Sequence, residues 1–151
     1  IIHMDDQTEV IEAREKMRVQ QARLTAAIEG AEIGLWEWDV EEGTFKRESS
    51  WFHVLGYREE EFHPSEDAWE KIIHPEDRPK VLKYYQKRLA AKANSFETEY
   101  RLRHKNGEFI WVAARGIVME RNKWGEPIKV IGIIFNISQM KYVELELRKA
   151  K

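Results

Sequence analysis

The chain has 151 residues, 42% of them hydrophobic, with 25 Lys+Arg against 27 Asp+Glu, a formal net charge of −2, and no cysteine. A chain of this length buries roughly 70% of the surface it exposes when unfolded, so one domain with a real core fits. The missing cysteines exclude disulfides, thiolate metal sites and cysteine nucleophiles, and they fit a reducing, cytoplasmic setting. No basic stripe follows a phosphate backbone, which argues against nucleic acid as a partner. The longest apolar run, Val130 to Phe135, is far too short for direct membrane insertion. No signal peptide is visible, and the opening IIHM reads as a remnant around an expected natural start at Met4.

Residues 5–30 run without proline and reach their first glycine at Gly30. Val10, Met17 and Leu24 recur every seven residues and Ile28 follows four later, while Arg14 and Gln21 make the offset seam polar. That spacing predicts a long helix with an imperfect heptad, either docked on its own domain or paired with a second copy. LWEWDV (35–40) alternates, EEGT turns, and TFKRES returns, which predicts two antiparallel strands. SSWFHVLGY (49–57) predicts a short helix capped by serine and ended by Gly56. Residues 59–73 suit two helical turns broken at Pro64. Residues 74–94 predict the strongly amphipathic helix of the interior, with Val81, Leu82, Tyr85 and Leu89 on one face.

Residues 95–138 predict three strands, divided by a two-residue hairpin signal at Asn106-Gly107 and by NKWGEP (122–127). A last helix, 139–151, spaces Met140, Val143, Leu147 and Ala150 by three and four. The economical assembly is α+β: a five-stranded antiparallel sheet with its helices gathered on one face.

These stretches, in this order, resemble a PAS domain of the subfamily once marked by the PAC motif. The resemblance runs from about Ala27 to Ser138, through GLWEWD, LGY, IHPEDR, EYRLRHKNG, WV..RG and GIIFNIS. It implies strand order 2-1-5-4-3 around a pocket, with a helix at 5–30, the PAS domain at 31–138, and a signalling helix or linker at 139–151. Two positions depart from the family. Glu48 stands where serine or asparagine usually precedes the first helix, and Asn136 replaces the aspartate of the closing triplet, here Asn136, Ile137 and Ser138.

IHPEDR gathers His74, Glu76, Asp77 and Arg78 as a hydrolase would. It reads more simply as helix punctuation, with His74 at the cap, Pro75 at the first helical position and two carboxylates in the first turn. The histidines (His3, His53, His63, His74, His104) show no metal-ligand spacing, and phosphate loops and nucleophile elbows are missing. No enzyme activity is expected of this chain.

On the family's geometry, Trp36, Trp38, Tyr100, Leu102, Val112, Ala114, Gly116 and Ile134 face the helices and are the candidate pocket residues. Leu35, Trp111, Ala113, Ile133 and Phe135 face the other way. With Val10, Met17, Leu24 and Ile28, four of these (Leu35, Trp111, Ile133 and Phe135) form the expected lid or dimer face, because an open sheet face should be polar. Asn136, Ile137 and Ser138 are the expected relay to the last helix.

No cofactor is expected. The flavin photosensors need a cysteine and a glutamine where Ile134 stands. Haem sensors use a histidine on the long helix, and residues 76–92 have none. FAD and haem are therefore not expected, and a small metabolite stays open. The resemblance implies a sensory module of a larger bacterial or archaeal protein of the histidine kinase or diguanylate cyclase type. Such a module acts as a homodimer joined to an output domain; a ligand-free dimerisation or spacer module is the alternative.

Overall fold

The computed structural model describes residues 6–62 and 66–150, with the side chains of Ile28, Glu29 and Glu66 left aside. The Ile28 seam position, His63 and the break at Pro64 thus lie outside the described residues. In chain order the elements are α1 (Asp6–Gly30), β1 (Ile33–Asp39), β2 (Thr44–Arg47), α2 (Ser49–Leu55), a 3-10 turn (Glu59–Glu61), α3 (Glu66–Ile72), α4 (Arg78–Ala90), β3 (Ser95–Arg103), β4 (Phe109–Arg121), β5 (Pro127–Asn136) and α5 (Ser138–Lys149). Residues up to Ala31 form one compact unit, and those from Glu32 onward form the other.

In the second unit the five strands are all antiparallel, in the order β2-β1-β5-β4-β3. β1 lies centrally between β2 and β5 because Trp36 and Trp38 alternate with half-buried neighbours and commit one face to the core. That core gathers Trp51 and Leu55 from α2, Ile72 from α3, Val81 from α4, and Phe96, Tyr100, Leu102, Val112, Val130 and Ile134 from the sheet. Gly56 ends α2 in the left-handed region at φ 76°, as an αL cap requires.

Three local expectations are corrected. The α2 cap residue is Glu48, whose side chain makes no capping bond, and Ser49 is already helical. Ser50 instead turns its Oγ to accept the Leu35 amide at 3.1 Å, so the serine fastens the helix to β1. The Asn106-Gly107 hairpin holds three residues rather than two. His104 N–H donates to Glu108 O at 2.7 Å, Gly107 N–H donates to His104 O at 2.9 Å, and Gly107 takes φ 92°. A turn followed by a left-handed glycine is the usual form of a three-residue hairpin loop.

The third correction concerns IHPEDR. α4 starts at Arg78, with Asp77 as its cap residue and a proline, Pro79, at the second helical position rather than Pro75 at the first. Residues 75–77 form a turn, closed by Asp77 and Arg78 N–H groups that both donate to His74 O at 2.9 Å. The start is delayed because the stretch is claimed by β3. His74 N–H donates to Arg101 O at 2.9 Å, and Asp77 Oδ2 accepts from the Arg101 amide at 2.9 Å. The Arg101 guanidinium then grips the same carboxylate through bonds of 2.9 and 2.8 Å. Arg78 donates to the carbonyls of Lys71 and Ile73 at 3.3 and 3.1 Å, holding the end of α3 against the clamp. The acids serve a tertiary joint between helices and sheet, and not the helix dipole.

Candidate functional site

All eight inward-facing candidates are buried, but they divide among four environments. Trp36 fills a recess made by a glycine pair. It sits directly across from Gly132, which in turn pairs with Gly116. A Cβ on Gly132 would lie 2.1 Å from the Trp36 ring, and one on Gly116 would lie 2.7 Å from it. The two glycines thus hold open a slot for one indole. Leu102, Val112 and Ala114 are packed core. Tyr100 and Ile134 border a small void of about 20 Å³, room for about one water.

A larger cavity of about 170 Å³ lies under the β1–β2 edge. Trp36, Trp38 and Phe45 form its sheet side, and Trp69 and Glu70 of α3 form a second wall. Leu82, Tyr85, Gln86 and Leu89 of α4 complete it, at the three- and four-residue spacing that puts side chains on one helix face. Of the eight candidates, Trp36 and Trp38 alone reach this cavity. Phe45, Trp69, Glu70 and Gln86 went unnoticed in the sequence. Phe45 could have been found by carrying the strand alternation into β2, whereas Trp69 needs the docking of α3, which no local pattern encodes.

The rings around the cavity hold one another. Trp38 stacks on Phe45 at 5.7 Å with an interplanar angle of 2°. Tyr85 meets Trp38 at 87° and Trp69 at 86°. Trp69 Nε1 donates to Tyr100 Oη at 3.0 Å. Burial pushes the Tyr85 and Tyr100 hydroxyls upward, so both stay protonated. Behind Phe45 lies Arg47, only 8% exposed, with its guanidinium 5.2 Å from the Phe45 ring centre and 4.8 Å from that of Trp51. Burial lowers its pKa to about 10, which still leaves it charged at neutral pH.

On the outer face, Leu35, Trp111, Ile133 and Phe135 are half-buried, and Ala113 is buried. Two cations stack on Trp111: Arg101 at 5.1 Å and Lys141 of α5 at 5.2 Å. Lys141 also pairs with Glu99 at 2.7 Å. Arg115 lies 5.6 Å from the Phe135 ring. Two rings of the expected apolar patch, Trp111 and Phe135, thus carry the domain's own long cationic side chains, which pack their stems on rings while their charges stay wet. In the first unit Val10, Met17 and Leu24 are exposed.

The relay residues form one joint. Ile137 N–H donates to Trp111 O at 2.8 Å, and the Trp111 amide donates to Ser138 Oγ at 2.9 Å. Asn136 Oδ1 accepts the Ser138 amide at 2.9 Å. Ile137 is buried, and α5 begins at the next residue. Among the described residues no acidic or histidine cluster fits a metal ion, and no helix is long and apolar enough to cross a membrane.

Residues 45–134, more than half of the chain, match the family described as the PAS fold. The whole chain is 25% identical over 152 residues to the probable diguanylate cyclase DgcE of Escherichia coli K12, spanning 13% of that protein. It is 34% identical over 90 residues, 60% of the chain, to a methyl sulfide methyltransferase-associated sensor of Methanosarcina acetivorans, spanning 9% of it. The chain therefore spans a small part of these relatives. A sensory box histidine kinase/response regulator structure from Burkholderia thailandensis superposes with TM-score 0.70 at 31% identity, covering 85% of this chain and 94% of that one. With the strand order, the α5 joint and the family match in agreement, the chain belongs to the PAS_3 family of PAS-fold domains.

Proposed function

We propose that this PAS domain is the sensory module of a longer signalling protein of the histidine kinase or diguanylate cyclase type, and that it passes its state to an output domain through α5. The observation that carries the reading is the triple bond set at residues 136–138. Two of its three bonds tie the start of α5 to the backbone of β4 at Trp111, and the third braces Ser138 on Asn136. A shift of β4 cannot occur without moving the start of α5, and a signal acts by favouring one of two such positions. In the test, Ser138→Ala removes the acceptor for the Trp111 amide. Stability should fall by about 1 kcal/mol, while amide exchange across α5 rises severalfold. Unchanged α5 exchange would count against the relay.

Support for a homodimer comes from the exposed Val10, Met17 and Leu24 on α1 and from the half-covered Leu35, Ile133 and Phe135 on the sheet. These would be buried together in a twofold contact of at least about 1,000 Å². Light scattering should give a dimer at micromolar concentration, and a monomer once residues 1–25 are removed or Phe135 becomes Glu. A monomeric full chain would contradict the dimer and, with it, the spacer alternative.

A cavity of about 170 Å³ is small beside the roughly 300–1,000 Å³ of pockets for drug-sized ligands, which supports a domain without flavin or haem. The purified protein should show no absorption band beyond that of its tryptophans. A stoichiometric visible band would overturn this.

A further inference from the structure

We propose that Arg101 is a gate on α5. It has two alternative acidic anchors, Asp77 at the start of α4 and Glu99 on its own strand, and its release from the first displaces Lys141 from the second. The inference rests on the reading that α5 carries the output, and it adds a side-chain control to the backbone joint at residues 136–138.

The parts lie on the outer face of β3 and β4. Arg101 pairs directly with Trp111 across the two strands, and its guanidinium lies 5.1 Å from the centre of that ring. Lys141, in the first turn of α5, places its ammonium 5.2 Å from the same centre. It reaches past β4 to Glu99 of β3, at 2.7 Å. One ring and one strand therefore serve two cations. Their like charges repel, so each depends on the acid that holds it.

Both cations have a second place to go. Glu99 and Arg101 stand two apart on β3, so their side chains leave the same face as neighbours. Glu97, the next acid along that face, already pairs with Arg115 at 3.3 Å, so Glu99 is the one for which Arg101 competes. Lys141 lies 3.4 Å from Glu144 of its own helix, which receives it when Glu99 is taken. In one arrangement Asp77 holds Arg101, and Glu99 holds Lys141 on the sheet. In the other Glu99 holds Arg101, Lys141 turns back to Glu144, and α5 loses its side-chain hold on β3.

Asp77 decides between them. The structure shows the first arrangement, with the guanidinium on that carboxylate through bonds of 2.9 and 2.8 Å. Glu76, at 3.4 Å and mostly exposed, is the weaker hold. Asp77 is also the cap residue of α4, so a movement of that helix against β3 loosens the grip. A side chain with two discrete positions is an element that distant parts of a domain can bias.

The test reads amide exchange of residues 138–149 in the full chain, with β5 amides in the same samples reporting global stability. Asp77→Asn keeps an acceptor for the Arg101 amide but frees the guanidinium, and it should speed α5 exchange about threefold to fivefold, the weight of one exposed cation–π contact. Lys141→Met should do the same, and adding Asp77→Asn to it should then change nothing further in α5. Lys141→Arg should stay near wild type and still respond to Asp77→Asn. Arg101→Gln empties the same clamp without leaving a competitor for Glu99, so α5 should remain as protected as in wild type. A merely structural clamp would instead loosen α5 equally in Asp77→Asn and Arg101→Gln, and that result overturns the gate. So do unchanged α5 exchange in Asp77→Asn and additive effects of Asp77→Asn and Lys141→Met; if Arg101→Gln does not fold, this pair decides alone. A Ser138→Ala effect on α5 without an Asp77→Asn effect would sink the gate and spare the backbone relay. An Asp77→Asn effect that needs Lys141, without a Ser138→Ala effect, would do the reverse.

Discussion

Asp77→Ala should destabilise the domain by about 3 kcal/mol, the lower end of what breaking a buried ion pair costs. Asp77 is buried, and its carboxylate accepts three bonds from Arg101, one from its amide and two from its guanidinium. Its removal leaves a half-buried cation and an unpaired strand amide. Those Arg101 bonds, foremost the guanidinium's, hold the Asp77 carboxyl below its ordinary value of 3.8. With the folded-state pKa depressed, the stabilisation is complete above the unfolded value and is lost as pH falls through the lower folded value. Denaturant unfolding at pH 7 and at pH 3 should therefore show the variant's deficit shrinking in acid. His74→Asn should cost no more than about 1 kcal/mol. The His74 amide still reaches Arg101 O, and an asparagine oxygen can replace Nδ1 as acceptor for the Glu76 amide. Equal effects from the two variants, or a deficit that does not shrink in acid, would contradict this account of IHPEDR.

Gly132→Ala should cost about 3 kcal/mol, the upper end for overpacking a filled core. The added methyl would lie 2.1 Å from the Trp36 ring and 2.4 Å from Arg115 O, a carbonyl that cannot retreat without breaking sheet geometry. Gly116→Ala should cost less, about 1–2 kcal/mol, because its nearest neighbours at 2.7 and 3.0 Å are side-chain atoms. Both should perturb the near-ultraviolet circular dichroism of Trp36. A neutral Gly132→Ala would mean that Trp36 does not occupy the glycine slot.

Much of this architecture was legible because side-chain alternation on β1, β3, β4 and β5 carries one buried face, and because Gly56 and Gly107 mark turns that need positive φ. The inward set from Trp36 to Ile134 follows from that alternation once the family's geometry says which of the two faces meets the helices. The delayed start of α4 was illegible, since Pro75 and two acids make a good local helix start and only Arg101, more than twenty residues away, redirects them. Most of the cavity's lining was illegible for a related reason. A strand pattern says which residues face inward, but Gly132 and Gly116 decide that Trp36 sinks into the sheet, and the docking of Trp69 and Tyr85 decides where space remains. The covering of Trp111 by Lys141 likewise depends on where α5 leaves β5, which follows from the 136–138 joint.

The proposed relay couples the interior of the domain to α5 through that joint. Hydrogen–deuterium exchange of residues 109–112 and 137–149, compared between wild-type and Leu89→Trp protein, tests it most directly. Filling the cavity displaces α4 and the β1–β2 edge, and the account predicts changed exchange at Trp111, Ser138 and along α5. It also predicts that the change along α5 disappears when Ser138→Ala is added. Identical α5 exchange in wild-type and cavity-filled protein, both folded, would contradict it.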